Sequence, residues 1–255
     1  MMNATLRDEI RDYWSDRAAG LDAQPGHGIA SDAERKAWLA LLRRHLGAAR
    51  GTALDLACGT GEMGGLLDDL GFAVTCLDWS EPMLEIAREK AAAAGRGIAF
   101  RQADAEVTME PDASYDAVLT RHLVWTLVDP SAAFAEWRRV LRPGGRLVII
   151  DGDFVARPAG ARLLDWITAR LASGRRPVAD RDLAARHRAI LDRVHFRDGA
   201  RAEAVAQMLR AAGFEGILID RRLGPVNRAI ARRAGLIEGL RREVQHRYVI
   251  SATRG

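Results

Sequence analysis

The sequence predicts an α/β fold, in which strands and helices alternate along the chain and helices cover both faces of one sheet. The first indication is a short apolar run at 52–57, which ends in a glycine-rich turn around Gly59 and is followed at once by a helical pattern at 63–70. The second indication is the run at 73–78, whose continuous apolar character suits a strand buried on both faces. Strand, tight glycine turn and helix together form a unit that presents a helix N-terminus to a ligand.

Length and composition predict one large soluble domain, which we expect to be cytoplasmic. The chain has 255 residues, of which 48% are hydrophobic and 28% are charged, and these values are ordinary for a globular protein. No apolar run approaches the roughly 20 residues that cross a bilayer, and the polar, charged N-terminus shows no secretory signal. Cys58 and Cys76 lie in or next to predicted buried strands, so we expect two reduced core thiols.

An amphipathic helix is predicted at 5–20, and it is followed by a loop in which His27 lies between two glycines. Tyr13 and Trp14 are adjacent in that helix, so they cannot both face the same apolar stripe. We therefore expect one of them to pack and the other to line a cavity.

A second helix is predicted at 32–46, because a capping box that opens at Ser31 precedes its apolar positions and Gly47 ends it. We expect residues 1–50 to form a helical lid over the domain at 51–255. The alternative is that this segment only packs on the sheet.

Glycine, proline and serine residues mark the predicted ends of the other helices and strands. Gly71 ends the helix at 62–70, and Ser80 with Pro82 just inside opens the next helix. A Leu-Arg-Pro-Gly-Gly turn that starts at Leu141 leads into the fifth strand. The predicted strands are 52–57, 73–78, 98–104, 115–120, 146–151, 214–222 and 246–253; the other helices are 80–94, 130–141 and 201–212, with helical, Arg-rich insertions at 154–200 and 224–243.

The glycine turn has two interpretations when taken alone. Gly59, Gly61 and Gly64 match the G-x-G-x-x-G pattern of dinucleotide sites, which is a weak signal without further context. Asp55 is costly to bury in a strand, and a pyrophosphate has no need of it, whereas a ligand with a cationic tail does. Glu62 would compete with a pyrophosphate at the start of the helix, although it suits the helix dipole. The two acids therefore favour a cofactor other than a nicotinamide dinucleotide.

Asp55, Gly59 and Gly61 at this spacing resemble the first motif of the class I S-adenosylmethionine-dependent methyltransferases, and the resemblance covers about residues 50 to 152. The Leu-Arg-Pro-Gly-Gly turn is also typical of this family. The resemblance implies a Rossmann-like, seven-stranded, mostly parallel sheet with one antiparallel strand, helices on both faces and helical cap insertions. It also implies an enzyme that uses S-adenosyl-L-methionine. Similar members include ubiquinone/menaquinone-biosynthesis-type and other small-molecule methyltransferases, whose shared motifs do not transmit substrate identity.

Asp78 ends the second predicted strand, where an acid meets a ribose in this architecture. One carboxylate can accept hydrogen bonds from both ribose hydroxyls; a helix N-cap is the alternative role. The resemblance implies that Asp104 and Ala105 contact the adenine, and the main-chain carbonyl near Arg121 is a candidate acceptor for the cofactor ammonium group. The predicted cofactor-binding residues are Tyr13, Asp55, Ala57, Cys58, Gly59, Thr60, Gly61, Asp78, Trp79, Met83, Asp104, Ala105 and Arg121.

Methyl transfer from a sulfonium needs mainly orientation and a dry pocket, and it needs a base only if the acceptor must lose a proton. His122 is the first candidate for a base or a substrate-orienting group, because it ends the fourth strand and an imidazole titrates near neutrality. A histidine held by a loop carbonyl is the alternative. His27 is the second catalytic candidate, and His187 and His195 are candidates for substrate contact. No spacing of His, Cys and carboxylates indicates a metal site.

The net charge of +4 comes from 38 basic and 34 acidic side chains. Arginine pairs alternate with Ala, Leu and Asp at helical spacing, which favours a solvated face over a nucleic-acid site. Arginines in the insertions suit carboxylate or phosphate, so we expect a small acceptor with an acidic group. The alternatives are an RNA or protein methyltransferase that uses the Arg-rich surface, and a dehydrogenase or non-catalytic cofactor-binding module. The sequence leaves open whether the acceptor atom is O, N, C or S and whether the chain forms a homodimer.

Overall fold

The computed structural model describes residues 5–47, 49–156, 160 and 178–255, and these ranges contain one seven-stranded sheet. The strands are β1 (Thr52–Leu56), β2 (Ala73–Asp78), β3 (Ala99–Gln102), β4 (Tyr115–Arg121), β5 (Leu141–Asp153), β6 (Phe214–Asp220) and β7 (His246–Arg254). Their order in the sheet is β3-β2-β1-β4-β5-β7-β6. All neighbouring strands are parallel except β7, which is antiparallel to both β5 and β6. This confirms the predicted fold class, including its one antiparallel strand.

The described ranges contain α-helices on both faces of this sheet. Alternate residues of each central strand enter different apolar clusters, as Leu147 and Val148 of β5 do. None of these helices is long and apolar enough to cross a bilayer. The helices are α1 (Leu6–Ser15), α2 (Asp32–Leu46), α3 (Glu62–Asp69), α4 (Glu81–Ala93), α5 (Pro130–Val140), α6 (Val178–Leu191), α7 (Ala202–Ala211), α8 (Gly224–Ala234) and α9 (Leu236–Val244).

Three predicted details differ from the structure. The helix predicted at 5–20 ends at Ser15, and a short 3₁₀ turn follows. Ser31 caps α2 as predicted, because its hydroxyl accepts from the Glu34 N–H. The Glu34 carboxylate accepts from the Ala30 N–H at 3.4 Å and not from the Ser31 N–H, so the second bond of a capping box is not made. The Leu-Arg-Pro-Gly-Gly turn lies inside β5 as an irregularity, because Leu141 already pairs with β4 before the register shifts. Residues 157–159 and 161–177 of the first predicted insertion lie outside the described residues.

Gly64 and Gly65 are neighbours in α3 but face different surroundings. A Cβ at Gly64 would lie 2.2 Å from the Cys76 sulfur in β2, whereas a Cβ at Gly65 would meet nothing closer than the Arg96 side chain at 3.8 Å. The absence of a side chain at Gly64 therefore sets how closely α3 approaches the sheet below the glycine turn.

Gly64→Ala should lower the free energy of unfolding by about 1–3 kcal/mol, because the added methyl overpacks a close helix–strand contact. Gly65→Ala should raise it by roughly 0.5–1 kcal/mol, because alanine is the better helix former. Urea denaturation of both variants measures the difference, and Cys76→Ala should recover most of the loss in Gly64→Ala. Equal effects at the two positions would contradict this packing.

Candidate active site

The carboxyl ends of β1, β2 and β4 border a cavity with about 950 Å³ of empty space, which we call the turn cavity. Its position fits the rule that ligands of an open α/β sheet bind outside the carboxyl ends of the strands. The predicted cofactor residues that line it are Asp55, Ala57, Cys58, Gly59, Thr60, Asp78, Trp79, Met83, Asp104, Ala105 and Arg121.

The glycine turn takes its shape from left-handed backbone conformations. Gly59 and Gly61 have φ values of 54° and 82°, and Ala57 also has a positive φ of 51°. Gly61 lies outside the cavity lining: it precedes α3, and a Cβ there would lie 3.1 Å from the Ala87 Cβ of α4. Its absent side chain therefore allows the turn to pack on α4.

Asp78 fastens this turn to β2. One carboxylate oxygen accepts from the Gly59 N–H at 2.8 Å, and the other accepts from the Ser80 N–H at 2.9 Å. The residue is only 6% exposed, and burial raises its pKa to about 6 against the opposing effect of these N–H donors. Since a carboxylate has about four acceptor sites, Asp78 keeps the capacity to accept from a diol.

Asp55 lies beneath the same turn and is 1% exposed. Burial raises its pKa to about 7, while the charge of Arg121 and the Gly64 N–H oppose that rise. A cationic group brought into the cavity would favour the ionised carboxylate. The Asp55 environment therefore fits an ammonium-bearing ligand.

Glu62 links the start of α3 to α4 and to the N-terminal loop. Its carboxylate contacts the Lys90 ammonium and accepts from the Ile29 N–H at 3.1 Å. Asp22 also binds Lys90, at 2.9 Å, and accepts from the Thr60 hydroxyl at 2.5 Å. These bonds tie the glycine turn and the start of α3 to the N-terminal loop.

Helix α1 crosses the side of the turn cavity formed by the loop after β3. Arg7 of α1 contacts the Asp104 carboxylate and lies 2.5 Å from that of Glu106. The other Asp104 oxygen accepts from the Glu106 N–H at 2.8 Å. Asp104, predicted to contact the adenine, is therefore also the residue that fastens α1 to the sheet.

A second and larger cavity, which we call the outer cavity, adjoins the first. It has about 1600 Å³ of empty space, and Trp14, His27 and His122 line both cavities. The other residues that line the outer cavity are Tyr13, Arg17, Trp125, Phe154, Leu183, Ala184, His187, Arg188 and Arg247.

The structure places Tyr13 in the outer cavity and not in the turn cavity, where the sequence had placed it. Its hydroxyl lies 3.1 Å from His187 Nδ1 and accepts from Arg17 at 3.0 Å. Successive residues point about 100° apart on a helix, and it is Trp14 that faces the turn cavity. His195, the other candidate for substrate contact, is exposed and lines neither cavity.

His122 and His27 meet where the cavities join, with ring centroids 5.3 Å apart. The His27 loop is held by Arg121, which donates to the His27 carbonyl at 2.6 Å. His122 Nε2 lies 3.2 Å from an Arg247 nitrogen. Because a guanidinium only donates, Nε2 accepts and the ring proton is on Nδ1.

The expectation that His122 titrates near neutrality is wrong for this environment. Burial, with the positive charges of Arg247 and Arg121, holds its pKa well below the usual value. Burial and the charge of Arg121 also lower the pKa of His27 to about 3. Both imidazoles are therefore neutral and weakly basic, and the lone pair of His122 is already engaged.

Sequence reasoning missed most of the residues that line the outer cavity. Arg17 lies in the turn after α1 and Arg188 lies in α6, each close to other charged residues, and Phe154 follows β5 with no distinguishing pattern. Arg247 reaches the cavity because β7 pairs with β5, which only the sheet order reveals. The only sequence feature that pointed to Trp14 as a cavity residue was its position next to Tyr13. Within the described ranges, no three His, Cys, Asp or Glu side chains are grouped as a metal site would require.

Imidazole NMR titration should show His27 and His122 neutral from about pH 8 down to about pH 5. The same histidines in urea-unfolded protein should titrate near about 6.5, the ordinary value. A folded-state titration of His122 near neutrality would contradict the contact with Arg247 and restore a base at this position.

Comparison with known proteins gives consistent matches over the strands that carry the turn cavity. A family described as a methyltransferase domain matches residues 54–149. The demethylmenaquinone methyltransferase of Thermus thermophilus is 42% identical over 110 residues, which cover 42% of this chain and 49% of that protein. The ubiquinone/menaquinone biosynthesis C-methyltransferase UbiE of Acidiphilium cryptum is 34% identical over 175 residues, which cover 65% and 67% of the two chains. The matched region thus spans about half of the first relative and two thirds of the second.

Among solved structures, the geranyl diphosphate C-methyltransferase of Streptomyces coelicolor is similar over 99% of both chains, with a TM-score of 0.64. At 16% identity this likeness concerns the fold alone. The sequence relatives, the sheet order and the acid-flanked glycine turn agree: the chain belongs to the class I S-adenosylmethionine-dependent methyltransferases.

Proposed function

We propose that the chain transfers a methyl group from S-adenosyl-L-methionine to a small organic acceptor. The cofactor occupies the turn cavity and the acceptor occupies the outer cavity. The observation that carries this proposal is the shared wall of Trp14, His27 and His122, across which the two ligands meet. When bound, the cofactor supplies a methyl group that is already activated on a sulfonium.

The turn cavity has the chemistry that an adenosyl amino acid needs. Asp78 retains acceptor capacity for the ribose hydroxyls, and Asp104 retains it for the adenine amine. The Asp55 carboxylate and the main-chain carbonyl near Arg121 are the acceptors that we propose for the ammonium group. Trp79 and Met83 supply apolar wall.

The residues of the chain mainly orient the cofactor and the acceptor and exclude water from the site where they meet. Trp14 of α1 lies between the turn cavity and the outer cavity. Arg121 holds the loop that carries His27 through a hydrogen bond to the His27 carbonyl. His122 orients substrate as a neutral hydrogen-bond donor, because its Nε2 already accepts from Arg247. An acceptor that must lose a proton therefore loses it to solvent and not to a histidine of normal basicity.

A small acceptor is favoured over RNA or protein by the state of the Arg-rich surface. Arg221 pairs with Glu203 at 2.5 Å and Arg222 with Asp220 at 3.0 Å. α1 and α6 also lie together over the outer cavity, where Arg186 of α6 pairs with Asp16 at 2.7 Å. Paired arginines and a covered cavity suit a metabolite better than a macromolecule.

We also propose that the N-terminal segment is the lid of the cofactor site. Trp14 of α1 lines both cavities, and Arg7 fastens α1 to Asp104 and Glu106. Since these contacts lie at the expected adenine end, the cofactor and the lid stabilise each other.

Adenosylhomocysteine should bind more weakly as the pH falls through about 6, the pKa of Asp78. Burial raises that pKa, so the carboxylate is ionised only above it, and protonation removes an acceptor for the ribose. The dissociation constant should rise up to about tenfold per pH unit below this value, and Asp55, with a pKa of about 7, acts in the same direction.

Calorimetric titration of adenosylhomocysteine measures this dependence. Asp78→Asn should bind weakly at every pH, and Asp116→Asn, near the opposite end of the sheet, should behave as the wild type. Affinity that does not change with pH, together with normal binding by Asp78→Asn, would remove Asp78 from the ribose site.

Arg7→Met should loosen the lid and raise the adenosylhomocysteine dissociation constant by roughly three- to tenfold, which is the scale of a charge-assisted bond. Arg11→Met is the matched control, since Arg11 pairs only with Asp8 and Asp12 of its own helix among the described contacts. Stopped-flow dissociation should place the change in the off-rate. A lid role is wrong if both variants release the ligand at the wild-type rate.

A further inference from the structure

The outer cavity has an unbalanced charge. Three arginines line it, Arg17, Arg188 and Arg247, whereas its described lining includes no aspartate or glutamate. The lining also contains three histidines, which carry no negative charge. Burial lowers the pKa of each of them. The cavity therefore presents positive charge to whatever enters it.

These arginines have neutral partners where the structure describes them. Arg17 donates to the Tyr13 hydroxyl at 3.0 Å and to the Gln24 side-chain oxygen at 2.6 Å. Arg247 contacts His122 Nε2 at 3.2 Å and donates to the Gln245 side-chain oxygen at 2.9 Å.

Arginines just outside the cavity behave differently. Arg186 of α6 pairs with Asp16 at 2.7 Å, and Arg193, in the turn after α6, pairs with Glu9. Asp16 and Glu9 therefore pair with arginines that lie outside the cavity lining.

The charges of Asp151 and Glu238 favour the Arg247 cation. In the described part of the chain, however, none of the three outer-cavity arginines forms an ion pair with an acid, so a ligand that enters can supply a counterion.

The cavity wall is also aromatic. Trp125 lies edge-on to Trp14 and to Phe154, with ring centroids 6.2 and 6.1 Å apart. Such a wall suits a flat ring, and it would equally suit a quaternary ammonium group. The guanidinium groups decide between the two, because they attract an anion and repel a cation.

Arg247 lies at the join of the cavities. It contacts His122, which lines both, and its guanidinium lies 5.3 Å from the centre of the Phe154 ring. An anionic group held there would lie beside the ring that carries it and next to the position where the methyl group is delivered.

We propose that the methyl acceptor is a planar aromatic molecule whose ionised oxygen, a carboxylate or a phenolate, is bound by Arg247 in the outer cavity. The ring lies among Trp14, Trp125 and Phe154. A phenolic acceptor loses its proton to solvent on binding, because the guanidinium favours the ionised form. This inference rests on the proposed function, since it assigns the outer cavity to the acceptor.

Calorimetry with naphthalene probes on the full chain tests the inference without turnover. 1-Naphthoate should bind about tenfold more tightly than neutral 1-naphthamide of the same shape, as expected for a charge-assisted bond. Cationic 1-naphthylmethylamine should bind least. Arg247→Met should remove the preference for naphthoate, while Arg193→Met, whose partner Glu9 lies outside the cavity lining, should keep it.

A phenol arm separates the two anions. If 1-naphthol binds more tightly as the pH rises, with a midpoint below that of free naphthol, the site takes phenolates; if its affinity is flat while naphthoate is preferred, the site takes carboxylates. Equal binding of naphthoate and naphthamide by the wild type would overturn the inference, whether or not Arg247→Met folds. Adenosylhomocysteine is titrated in parallel: normal binding in that case leaves the proposed function standing, whereas no binding refutes it.

Discussion

The carboxylate of Asp78 is the constraint on which the site depends. It accepts hydrogen bonds from the main-chain N–H groups of Gly59 and Ser80, so it joins the glycine turn to the start of α4. Burying an acid is unfavourable unless such donors are present. The same two bonds hold the turn open as a cavity floor and leave acceptor capacity for a ligand. Together with the hydrogen bond from the Cys58 N–H to the Leu77 carbonyl, at 3.0 Å, they attach the left-handed turn to β2.

The sequence predicted most of the turn cavity because its residues follow from local rules. The ends of parallel strands meet at one edge of a sheet, so acids such as Asp55, Asp78 and Asp104 can be placed together from the strand order. The antiparallel position of β7 came from the family resemblance and not from periodicity. Gly61 was assigned to the ligand because it belongs to the motif, but its conformation and contact with α4 give it a packing role.

The outer cavity could not be predicted in the same way. Arg247 and Phe154 lie far apart in sequence and come together only because β7 pairs with β5. The ionisation of His122 depends on this neighbourhood, since Arg247 occupies its Nε2 and adds to the effect of burial. The position of His122 at a strand end therefore predicted that it would border the cavity, as it does, but could not predict its basicity. In the same way, the sequence could state that Tyr13 and Trp14 face different directions, but not which of them faces the turn cavity.

A crystal structure of the chain with adenosylhomocysteine tests the role of Asp78 most directly. Both ribose hydroxyls should lie within hydrogen-bonding distance of the Asp78 carboxylate, which should still accept from Gly59 and Ser80. The ligand sulfur should point toward the wall shared by Trp14, His27 and His122. A ribose that does not touch Asp78, or a sulfur directed away from the outer cavity, would contradict this placement of the cofactor.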